Sequence, residues 1–113
     1  MTQSHLNHVR FFSGDDINMS GGTVLYTPPT GYVLDVKHII IGFTGDATCV
    51  VNIYDDTDGA ADEVMAFNYQ FNADDNQNQT IHLKDLDGFY FGKAFRVVAT
   101  SSKVNIAVSG ILK

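Results

Sequence analysis

The chain is 113 residues long and 44% hydrophobic, with 13 acidic against 7 basic residues for a formal net charge of −6. That length suits one domain, which buries roughly two-thirds of its unfolded surface and needs no disulfide or metal to keep a core. The acidic balance and scattered cations exclude nucleic acid as the main partner, whose affinity rests on phosphate neutralisation, and disfavour an anionic membrane; no apolar run nears the ~20 residues that span a bilayer.

Residues 1–22 stand apart. The opening stretch lacks a basic region followed by an apolar one, so no secretory signal is expected. It carries an isolated apolar group, Val9, Phe11 and Phe12, and then the Gly/Asp/Ser-rich run Ser13–Gly22. Without periodicity this segment predicts an extended N-terminal arm, either frayed or ordered by docking on a partner. A sandwich domain is expected over 23–113, and it should stay folded when the arm is removed.

From Thr23 the sequence reads as strand after strand. Thr23–Tyr26 leads into the turn Pro28-Pro29-Thr30-Gly31, and Tyr32–Phe43 is the longest strand. Its first half sets Leu34 and Val36 against Asp35 and Lys37, one dry face and one wet. Its second half, Ile39-Ile40-Ile41, is apolar on both faces, as expected if something covers the outer side. Ala47–Tyr54 should point Cys49, Val51 and Ile53 inward. Cys49 is the only cysteine, which leaves no internal disulfide and reads as buried packing. Glu63–Asn72 places Met65, Phe67, Tyr69 and Phe71 on one side at strict period two. Thr80–Leu86, Phe89–Phe91, Ala94–Thr100 and Lys103–Leu112 close the chain as two strand pairs, turned at Asp87-Gly88 and Ser101-Ser102. About eight strands and no helical window predict an all-β fold, an antiparallel two-sheet jelly-roll-like sandwich.

No cluster has catalytic spacing. In the turn Tyr54–Gly59, setting Gly59 at the sixth position of a calcium loop puts Tyr54 first and Met65 twelfth, where carboxylates are required. A looser oxygen-ligand site from Asp55, Asp56, Asp58 and Asp62 is weaker than a solvated acidic turn. His5 and His8 lie three apart with no partners to complete a zinc site. His38, placed on the face of Leu34, Val36 and Ile40, and His82 read as packed or interface residues, and neither adjoins a nucleophile and an orienting carboxylate. No enzyme activity, cofactor or metal is expected. Carbohydrate binding is the competitor, through Tyr26, Tyr32, Tyr54, Tyr69 or Tyr90 in place of the missing tryptophan.

The run Val24-Leu25-Tyr26-Thr27-Pro28-Pro29-Thr30-Gly31 leading into Tyr32–Ile39, with the ending Val104-Asn105-Ile106-Ala107-Val108-Ser109-Gly110-Ile111, resembles a family of small phage virion β-sandwich proteins. The likeness spans Val24–Leu112. It implies a non-enzymatic head decoration (cement) protein, trimeric and seated on the capsid surface, made in the host cytoplasm and bridging subunits of the major capsid protein. Tail, neck or fibre components form the alternative. The matched pattern starts near Thr23, so it leaves the arm's partner open. Contact is expected through Val9, Arg10, Phe11 and Phe12 of the arm, with Tyr32, Tyr90 and Phe91 on the sandwich.

Overall fold

Among the described residues, alternation of large apolar with polar side chains lays down nine strands and no α-helix. The computed structural model describes residues 7–13, 22–45, 48–56, 65–72, 79–101 and 103–113. The strands are β1 (His8–Phe12), β2 (Thr23–Tyr26), β3 (Leu34–Phe43), β4 (Cys49–Asp55), β5 (Met65–Phe71), β6 (Gln79–Leu83), β7 (Tyr90–Phe91), β8 (Phe95–Ala99) and β9 (Val104–Leu112).

One sheet runs β1-β9-β3-β6, with β7 also paired to β3, and the other runs β2-β8-β4-β5; every pairing is antiparallel. Both sheets interleave strands from the two ends of the chain, which is the jelly-roll arrangement. β6 and β7 are segments of one interrupted edge strand. Between them the Val36 N–H donates to the Phe89 carbonyl, and the Leu86 N–H donates to the Lys37 carbonyl.

The two closing strand pairs of the sequence reading are not hairpins. β8 and β9 lie in different sheets, and β6 and β7 both follow β3 rather than each other. Consecutive strands pair only in β4–β5, because the jelly roll sends the chain across the sandwich at nearly every turn. The expected Pro28–Gly31 turn is present one residue on: the Tyr32 N–H donates to the Pro29 carbonyl, and Gly31 takes φ +88°, which a β-carbon would strain.

The segment expected as an arm is the largest correction. His8–Phe12 pairs along β9 from His8 opposite Ile111 to Phe12 opposite Ala107, so these residues are an integral edge strand. Phe11 is buried, stacked on the Tyr26 ring at 5.2 Å and edge-on to Phe95. Its burial ties the margins of the two sheets together. The polar run after it, 14–21, lies outside the described residues, as does His5.

The core gathers Leu34, Val36, Ile39, Ile41 and Phe43 from β3 against Cys49, Val51 and Ile53 from β4, as expected for β4. Phe71, Phe91, Phe95, Val97, Val104, Ile106 and Val108 complete it. A bulge at Lys37 explains how β3 buries Val36 and then Ile39: register jumps from Val36–Gly110 to His38–Ser109, which reverses the phase of the strand. His38 therefore leaves the face of Leu34 and Val36 and joins Ile40 outside. Beside the bulge, a β-carbon on Gly110 would stand 2.6 Å from the Asp35 carbonyl oxygen, so only glycine lets β3 and β9 close here. A second register shift, between Ile53 and Tyr54, turns Met65 out to solvent, leaving Phe67, Tyr69 and Phe71 of the expected row packed.

Candidate interaction face

The outer surface of the β1-β9-β3-β6 sheet follows from register. Phe12, Ala107, Ile40 and His82 stand side by side across the four strands, and Arg10, Ser109 and His38 form the next row. A third row runs His8, Ile111, Asp35 and Tyr90. Phe12 is 65% exposed and Ile40 41% exposed, although both are large and apolar.

A trough runs along β9 over the small side chains of Ala107 and Ser109. Phe12 and Arg10 wall it on the β1 side, Ile40 and His38 on the β3 side. Three shallow hollows of about 330, 100 and 210 Å³ follow one another along it, from Gly42 and Thr80 at one end to Ile111 at the other. The Arg10 guanidinium lies 5.9 Å from the centre of the Phe12 ring, a cation–π contact that stands both side chains along the wall. The His38 and His82 rings are 6.2 Å apart on the opposite side.

At the end where β3 begins, Asp35 points to this same face yet is fully buried. Lys37 Nζ lies 3.0 Å and Lys113 Nζ 2.8 Å from its carboxylate. Burial pushes its pKa up, but the hydrogen bonds and charges of Lys113 and Lys37 outweigh burial and hold the carboxyl below its ordinary range. Lys113 answers with a pKa raised above its ordinary value, chiefly by the hydrogen bond to Asp35. On the face expected to be wet, Asp35 is thus buried beneath Lys37 and Lys113, whose side chains stay partly exposed.

The expected contact residues separate. Phe12 and Arg10 are exposed on the trough wall, and Tyr32 and Tyr90 are exposed where β3 begins. Phe11 and Phe91 are corrected to core positions, and Val9 packs half-buried against that core. Phe91 turns inward because Tyr90 takes the outer position on a two-residue strand, and Phe89 packs edge-on to it at 5.2 Å. Ile40 was marked in the sequence only as part of an apolar run. Ala107 and Ser109 gave no such signal, and His38 was read as a packed or interface residue but on the face of Leu34 and Val36; their meeting depends on the Lys37 bulge.

The acidic turn is occupied by the fold. The Asp55 carboxylate accepts from the backbone N–H groups of Gly92, Lys93 and Ala94, and Asp56 is buried against Arg96 at 3.4 Å. Asp58 and Asp62 lie outside the described residues. Among the described residues no group of three or more His, Cys, Asp or Glu side chains is placed to hold a metal ion. No family model, curated protein or solved structure matches the chain.

Proposed function

We propose that this chain is a non-enzymatic structural protein of a phage virion, a decoration protein that fastens to the major capsid protein through the outer face of the β1-β9-β3-β6 sheet. The observation that carries this reading is the exposed pairing of Phe12 and Ile40 across Ala107. A sheet that faces solvent normally alternates to polar residues on its outer side, and here the central row is apolar on three strands. The jelly roll is an architecture that capsid proteins use, though a fold alone assigns no role. Docking would add buried interface between neighbouring coat subunits and so brace the shell against packaged DNA; self-association as a homotrimer belongs to the same reading.

A sugar site has less support. The exposed ring of Tyr90 has the Lys113 ammonium 5.7 Å from its centre, so one stacking face is taken.

Cosedimentation with capsids stripped of decoration protein tests the proposal. Wild-type chain should bind to saturation, and Phe12→Asp with Ile40→Asp should abolish binding while leaving the fold intact. Binding to tails rather than heads would support the tail alternative, and binding unaffected by both substitutions would overturn the proposed face.

A further inference from the structure

We infer that the trough along β9 takes an extended, acidic segment of a partner protein, one that alternates carboxylates with apolar side chains. This inference rests on the outer sheet face being the docking surface and adds the chemistry of its occupant. The dimensions suit one extended chain. The walls stand on β1 and β3, which flank β9 and are two strand spacings apart, about 10 Å. From Asn105 to Ile111 the floor runs about 20 Å, the length of six or seven extended residues.

Charge sets the occupant's character. The 330 Å³ end is walled by Phe12, Ile40 and Ala107 and offers contact for apolar side chains. The 210 Å³ end presents Arg10 and Lys37 together with the imidazoles of His8 and His38. Among the described residues no carboxylate lines any of the three hollows, in a chain whose net charge is −6. The nearby carboxylate of Asp35 is buried and engaged by Lys37 and Lys113, so this cluster keeps a single net positive charge, to which Arg10 adds a second. An acidic chain thus offers a trough with a positive end, which selects an anionic segment, while two whole copies, each with a net charge of −6, repel one another. The floor's own backbone is committed to sheet pairing on both sides, β1 and β3, so recognition must run through side chains rather than strand addition.

The test pans a displayed library of random nine-residue peptides against the intact immobilised chain. Peptides that alternate Asp or Glu with Leu, Ile or Phe should be enriched. Their amide-shift perturbations should map to Phe12, Ile40, Ala107 and Ser109, and Arg10→Glu or Phe12→Ser should weaken them at least tenfold. Both side chains are exposed, and amide spectra of the two variants confirm that the fold is kept. Failure to enrich any peptide, enrichment of basic peptides, or perturbations elsewhere would overturn the inference. So would concentration-dependent self-association that protects the same residues, since the occupant would then be a second copy. Capsid binding that needs Phe12 and Ile40 but yields no acidic peptide would sink this inference alone; acidic peptides without capsid binding would sink only the coat reading.

Discussion

The ammonium of Lys113 stands 2.8 Å from the carboxylate of Asp35, joining the far end of β9 to the start of β3 across a buried charge. The backbone reinforces the link, because Val33 and Lys113 exchange N–H to carbonyl hydrogen bonds in both directions. Lys37, from the bulge, completes the cluster at 3.0 Å.

That cluster fixes a pH dependence. Asp35 ionises at lower pH in the folded chain than its ordinary 3.8, so the unfolded chain binds the proton more readily. Its contribution to stability is full above pH 3.8 and is lost as pH falls through the lower folded value. Lys113, raised above 10.5, contributes fully below that pH and loses its contribution as pH climbs through the raised value. Urea midpoints measured from pH 7 to pH 2 should fall less steeply for Asp35→Asn than for the wild type. Parallel curves would show that Asp35 does not carry the acid limb.

Phe11 and Phe12 are neighbours with opposite fates. Phe11→Ala should cost about 3 kcal/mol, because a buried ring stacked on Tyr26 and edge-on to Phe95 is removed. Phe12→Ala, at a largely exposed ring, should stay within about 0.5 kcal/mol. Denaturant titration of the two variants checks the pair, and equal effects would contradict the placement of β1. Removing residues 1–13 should likewise destabilise the sandwich, contrary to what an arm would predict.

Gly110→Ala is expected to destabilise by about 1–3 kcal/mol, the range for overpacking. The added carbon would meet the Asp35 carbonyl at 2.6 Å and Val36 Cα at 3.1 Å, both backbone atoms with little room to yield. Thermal unfolding reads the result, and an unchanged midpoint would mean that the two strands can part freely.

Asp55→Ala should cost about 1–3 kcal/mol, since three backbone donors lose their shared acceptor. Calcium should leave the melting temperature of the wild type unchanged, because this carboxylate is already committed. A calcium-dependent rise that vanishes in the variant would reverse the assignment of the turn.

The strands were legible wherever period two was unbroken. Cys49, Val51 and Ile53 pointed inward as their alternation required, and β9 followed the same rule from Val104 to Val108. What the sequence concealed was mostly long-range. The Lys37 bulge leaves no mark in a run of isoleucines, yet it decides that Ile40 and His38 face out. The burial of Asp35 needs a lysine delivered from the other end of the chain. β1 was misread because Val9 and Phe11 alternate with Arg10 for only a few residues before a polar run, too short a pattern to separate a strand from an arm. The trough inherits both difficulties, since one wall is β1 and the other follows the bulge.

β9 is flanked by β1 and β3, yet it is translated after both. Until it emerges from the ribosome, its two neighbours present open hydrogen-bonding margins and greasy inner surfaces with nothing between them. The nascent chain must therefore wait, shielded or at risk of clumping, for its keystone to arrive.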